Sequence, residues 1–198
     1  MRIGLCALWL LTISVGIAMV LNYQKTSGQS GATPEDWPAG TQIALDSKRD
    51  TLVMFAHPRC SCTRASMEEL NRLLAKCGGQ IAANVIFFKP DNLPVGWEQT
   101  DLRQSALSIP GVTVLDDTNG VMAQKFGAET SGFVLLYDMH GKLLFRGGIT
   151  DGRGHEGDNA GEEAIIALAT GKNSTVKQTQ VFGCSLLNKN CLTKGIAK

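Results

Sequence analysis

Two apolar runs with one amphipathic helix between them constrain this chain more than any other feature. TLVMFA, residues 51–56, is a short apolar stretch that stops at His57-Pro58, as a buried strand does. TRASMEELNRLLAKCGG follows, with Met67, Leu70, Leu73, Leu74 and Cys77 at helical spacing. Its acids Glu68 and Glu69 come early, Arg72 and Lys76 come late, and Gly78-Gly79 stops it. IAANVIFFK, residues 81–89, is a second buried strand. Strand, helix and strand make a βαβ unit, which predicts a parallel, right-handed crossover.

The remaining elements extend that unit. WEQTDLRQSALSI reads as a helix ended by Pro110, GVTVLDD as a third strand, and GVMAQKFG as a brief helix. FVLLYD-MHG-KLLFRGG is a hairpin, and ITDGRGHEGDN after it is a polar, Gly-rich loop. Asn159 caps a last helix, AGEEAIIALAT, with Glu162 at the capping-box position and Gly171 as its end. The tail, residues 173–198, shows little periodicity.

Ahead of all this, residues 3–21 (IGLCALWLLTISVGIAMVL) carry no charge, about the length needed to cross a bilayer as a helix. The run is long for a cleaved signal peptide, and AMVLNYQ offers no small-x-small cleavage site. Residues 1–22 therefore read as a transmembrane anchor or uncleaved signal. Arg2 and Lys25 flank the run with little bias, and its export-type position puts the following domain outside. Residues 23–40, rich in Ser, Gly, Thr and Pro, are expected to be a flexible linker, with the folded domain spanning residues 41–172. A formal charge of +1 gives no broad attraction to nucleic acid.

The order βαβ, helix, strand, helix, hairpin, helix, together with VMFAHPRCSC and the anchor before it, resembles the membrane-anchored thioredoxin-like family of TlpA/ResA type. The GRGHEGDN loop is closer to the RedB-like branch. The resemblance covers residues 41–172 and implies an α/β fold, a central mixed β-sheet flanked by helices. It places Cys60 at the nucleophile position and Thr63 where the family has its usual resolving cysteine, so that Cys62 falls one residue early. It also places Gly132, after Thr130-Ser131, where the family has a cis-proline that shapes the substrate groove and keeps metals from the thiols.

The residues themselves explain why such a site would be reactive. A thiolate attacks disulfides and a thiol does not. Cys60 stands where a strand hands over to a helix, and the unpaired N–H groups there favour the anion. Cys62 is the candidate resolver, and a Cys60–Cys62 bridge would close a very small, readily reduced ring. The same two thiols with an imidazole, that of His155, would also suit Cu(I). His57, beside Pro58, either tunes Cys60, binds metal or makes a strand-end hydrogen bond. The resemblance sets the loop carrying Asp151, Arg153, His155, Glu156 and Asp158 beside Cys60; the competing reading is a solvated loop held by turn chemistry. Cys6 lies in the anchor and Cys77 on an apolar helix face. Cys184 and Cys191 are candidates for a structural disulfide, and a resolving role for one of them is the alternative.

The leading expectation is an exported, membrane-tethered thiol–disulfide oxidoreductase acting through the Cys60-x-Cys62 dithiol on a thiol or disulfide protein substrate. It needs no cofactor and sits as a single-pass membrane protein with its domain facing the periplasm or cell exterior. The alternatives are a copper-binding or copper-delivery protein, a thiol peroxidase, and a redox-dead docking module.

Overall fold

A computed structural model describes residues 2–186. Helix α1 (Arg2–Lys25) comes first, and its Cys6–Lys25 stretch is long and apolar enough to cross a membrane, with none of that stretch buried in the protein. Then follow β1 (Asp50–Ala56), α2 (Thr63–Cys77), β2 (Ile81–Lys89), α3 (Asp101–Ser108) and β3 (Val112–Thr118). Helix α4 (Val121–Phe126), strands β4 (Phe133–Tyr137) and β5 (Leu143–Gly147), and helix α5 (Ala160–Ala169) complete the order.

The five strands form one sheet in the order β3-β2-β1-β4-β5. Strands β1, β2 and β3 are parallel, while β4 runs antiparallel to β1 and β5 antiparallel to β4. This mixed sheet with helices on its faces is the thioredoxin-like fold. Strand β1 is central and buried on both faces, so successive side chains enter different cores. Leu52, Met54 and Ala56 pack with Met67, Leu70 and Leu73 of α2 and Ile165 of α5. Val53 and Phe55 point the other way, into the cluster of Phe126, Phe133 and Tyr137. That double burial holds the end of β1 rigidly, and the cysteines follow directly from it.

Helix α2 occupies the residues its apolar spacing predicts, and Gly78 closes it in the left-handed conformation. Helix α3 is shorter than its sequence pattern. It begins after Thr100, whose hydroxyl accepts from the Arg103 N–H, because an oxygen at that position satisfies a helix N–H better than another turn at Trp97 would. Asn159 caps α5 through the Glu162 N–H, at 2.9 Å. The Glu162 carboxylate meets Lys76 Nζ, also at 2.9 Å, so it ties α5 to α2.

The stretch expected to be a flexible linker is instead packed on the domain. Gly28 N–H donates to the Val181 carbonyl at 2.8 Å and Gly31 N–H to the Gly127 carbonyl at 2.9 Å. The Tyr137 hydroxyl donates to the Pro34 carbonyl at 2.9 Å, and the Trp37 ring meets Phe126 and Tyr137 edge-on. With few aliphatic side chains, this segment is attached mainly by its backbone and one indole, which composition does not reveal. The tail is also docked: Arg146 N–H donates to the Lys177 carbonyl and Thr179 N–H to the Arg146 carbonyl, along β5.

Candidate functional site

After Ala56 the chain turns through His57, Pro58 and Arg59 to the first cysteine. Cys60 N–H donates to the His57 carbonyl at 3.0 Å, and Thr63 N–H donates to the Cys60 carbonyl at 3.2 Å. Pro58 is buried, and its carbonyl accepts from the Thr100 hydroxyl at 2.9 Å, so the cap of α3 also clamps the turn. Cys62 is the N-cap of α2 but makes no side-chain cap. A thiol is a poor capping group, and this one turns toward Cys60.

Cys60 is only 2% exposed, which departs from the open, accessible turn that strand-to-helix placement suggests. Donors surround its sulfur. The Cys184 N–H lies 3.3 Å away. Hydrogen bonds from the Cys184 thiol, the Cys62 thiol and the Thr63 hydroxyl hold the Cys60 thiol far below its usual range, against the opposing effect of burial. Cys62, half-buried, moves the other way. Its hydrogen bond to Cys60, its burial and the Cys60 charge push its thiol up, and the Arg153 guanidinium works against them. The two shifts run in opposite directions, so these neighbours favour the anion on Cys60 and the thiol on Cys62.

A hydroxyl relay supports that anion. The Ser131 hydroxyl, fully buried, accepts from the His57 N–H at 2.8 Å and lies 2.6 Å from the Thr63 hydroxyl. With Thr63 donating to Cys60, Ser131 must donate to Thr63. Thr63, at the position where the resemblance puts a resolving cysteine, is therefore a sulfur-directed donor. Following Ser131, Gly132 has φ +89° and donates its N–H to the Phe55 carbonyl at 2.7 Å. Proline supplies neither that dihedral nor that N–H, which is why glycine stands here.

His57 is buried beside Phe88 and Trp97. Its Nδ1 accepts from the Arg59 N–H at 3.2 Å, so the neutral ring carries its proton on Nε2, which has no hydrogen-bond partner among the described residues. Burial lowers its pKa, opposed by the charge of Cys60 and aided by that of Arg59, so the ring is neutral at pH 7.

The loop after β5 reaches the site through one residue. Arg153 lies beside Cys62, and its Nη1 donates to the Gly183 carbonyl at 2.7 Å. Its Nε donates to the Thr26 carbonyl at 3.2 Å and its guanidinium lies 4.9 Å from the Tyr23 ring centre. The rest of the loop is engaged elsewhere or exposed. Gly157 N–H donates to Glu69 Oε1 at 2.6 Å, Glu156 pairs with Arg72, and His155, Asp151 and Asp158 are exposed. Among the described residues no group of three or more His, Cys, Asp or Glu is placed to hold a metal ion, and His155 is not brought to the two thiols.

Cys184 enters the site from a segment whose sequence shows no periodicity. The signal available was the apolar flanking of Gly183-Cys184 by Val181, Phe182 and Leu186, all three buried. Cys191, its expected disulfide partner, lies outside the described residues.

No family model matches this chain, and no curated protein does. Solved structures do resemble it. A hypothetical protein from Sinorhizobium meliloti is 22% identical, with a TM-score of 0.60 over 82% of this chain and 94% of that one. An uncharacterized conserved protein from Geobacillus kaustophilus is 20% identical, with a TM-score of 0.60 over 83% and 93%. A putative thiol:disulfide interchange protein from Chlorobium tepidum is more distant, at 18% identity and a TM-score of 0.46 over 73% and 97%. At these identities the likeness to the first two is one of fold.

Proposed function

We propose that this chain is an exported, membrane-tethered thiol–disulfide oxidoreductase working through Cys60 and Cys62. The observation that carries the reading is the Cys60 sulfur at the mouth of α2, accepting from the Cys184 N–H at 3.3 Å, with Cys62 at the helix N-cap beside it. The Cys60 thiolate attacks a substrate disulfide, forms a mixed disulfide and expels one substrate thiolate, which takes up a proton. The Cys62 sulfur then loses its proton and attacks Cys60, expelling the second substrate thiolate and leaving a Cys60–Cys62 disulfide. Two electrons pass from the protein thiols to the substrate, and no cofactor is required. Every step reverses, so the same site oxidises a dithiol substrate. Partners are proteins bearing thiols or disulfides. Helix α1 supplies the membrane tether, with the domain facing the periplasm or cell exterior.

Reduction of insulin disulfides by the full-length reduced protein tests this. Cys60→Ser should abolish turnover, and Cys62→Ser should slow it. Undiminished turnover by Cys60→Ser would refute the assignment.

A further inference from the structure

Residues 183–186 lie across Cys60 as an added strand. Ser131 N–H donates to the Cys184 carbonyl and Leu186 N–H to the Glu129 carbonyl, each at 2.8 Å, and Thr130 pairs antiparallel with Ser185. An extended segment held in this way draws its affinity from main-chain hydrogen bonds and its placement from flanking side chains. Val181 and Leu186 supply that placement, both packed into the cluster around Phe55, Phe126 and Phe133. Gly183 passes so close to Ser131 that a Cβ would strike its carbonyl. These contacts present Cys184 to Cys60. With its N–H 3.3 Å from the sulfur, the Cys184 Cα is within about 4.8 Å of Cys60 Sγ, inside the span of one side chain and an S–S bond.

We propose that Cys184 is an exchange partner of Cys60, and that a Cys60–Cys184 disulfide forms during turnover, with the tail delivering a sulfur as a bound peptide would. The inference rests on the exchange reading above and assigns Cys184 the resolving role beside Cys62. From the reduced protein, Cys60 first takes a mixed disulfide. The Cys184 thiol then gives up its proton, its sulfur attacks Cys60 Sγ, and the substrate leaves as a thiolate that is protonated. The two protein thiols lose two electrons and the substrate disulfide gains them. Where Cys184 is bonded to Cys191, the Cys60 thiolate reaches the same Cys60–Cys184 bond by expelling the Cys191 thiolate, with no net redox change.

The test uses the full-length chain, fully reduced, desalted and mixed with oxidised glutathione, then acid-quenched, alkylated and peptide-mapped. Cys62→Ser removes the competing sulfur. In that background a Cys60–Cys184 disulfide should accumulate, and glutathione should leave Cys60 at least about tenfold faster than in Cys62→Ser/Cys184→Ser, because the attack is intramolecular. Cys191→Ser should leave both results unchanged. Cys184→Ser keeps the backbone N–H on Cys60, and circular dichroism with Cys184→Ala as a second variant checks that the tail stays docked. If Cys60 takes glutathione but releases it at the same rate with and without Cys184, the inference fails and the exchange reading stands. If Cys60 takes no glutathione at all, the exchange reading fails and this inference with it.

Discussion

The chemistry of Cys60 depends on neighbours that are mostly remote in sequence. Thr63 is three residues away, but Ser131 and Cys184 come from two other parts of the chain. Ser131 is the test of this arrangement. Ser131→Ala removes the donor to Thr63 and leaves the buried His57 N–H unpaired, a loss of about 1–3 kcal/mol in stability. It should also raise the pKa of Cys60, read from thiolate ultraviolet absorbance. In the wild type, the absorbance that Cys60→Ser removes should persist down to about pH 6, where an ordinary thiol near 8.5 is fully protonated. The linkage has a definite sign. Because the folded thiol is more acidic than the unfolded one, the unfolded state binds the extra proton. The stability from this group is complete above the unfolded pKa and is lost as the pH falls through neutrality toward the folded value. The slope of stability against pH below about 8.5 should therefore be shallower in Cys60→Ser than in the wild type. An absorbance that vanishes at neutral pH would remove the thiolate from the site.

At the scale of elements, the covering segment 183–186 decides who reaches Cys60. Its hold combines two main-chain hydrogen bonds, the buried Leu186 and the close pass of Gly183 under Ser131. Gly183→Ala should lift the segment, since the Ser131 carbonyl belongs to backbone fixed by the Gly132–Phe55 hydrogen bond and has nowhere to move. Iodoacetamide should then label Cys60 at least about tenfold faster, as local opening no longer has to precede reaction. Unchanged labelling with unchanged melting temperature would mean that the segment does not guard the sulfur. The clamp on the other side is the Thr100 cap of α3. Thr100→Ala should cost about 1 kcal/mol and loosen the turn at Pro58.

For the whole molecule, helix α1 and the site share a joint. The end of α1 meets the loop at Arg153, whose N–H donates to the Gln24 carbonyl at 3.1 Å, and that same side chain stands beside Cys62. Among the described residues helix α1 contributes nothing to either core, so a chain lacking residues 2–22 should fold with a melting temperature close to that of the full chain. The full chain should stay with the membrane fraction after an alkaline wash, as a spanning helix does, and the shortened chain should not. Release of the full chain by the wash would leave the helix without a spanning role.

Local pattern alone determined the βαβ unit, the bounds of α2, the hairpin, the Asn159 cap and the apolar helix at the start, because each depends on periodicity or on residues within one turn of each other. The two thiols at the mouth of α2 were legible for the same reason. The tertiary structure decided the rest. The packing of residues 28–37 rests on backbone hydrogen bonds, which any sequence can make, and on the single indole of Trp37. His155 and Arg153 share one loop, and only the folded path of that loop shows Arg153 at the dithiol and His155 in solvent. Cys184 stands 124 residues from Cys60, and no spacing rule links them. The pairing of its strand with residues 129–131 brings the two sulfurs together, since long-range register is set by packing rather than by the local chain.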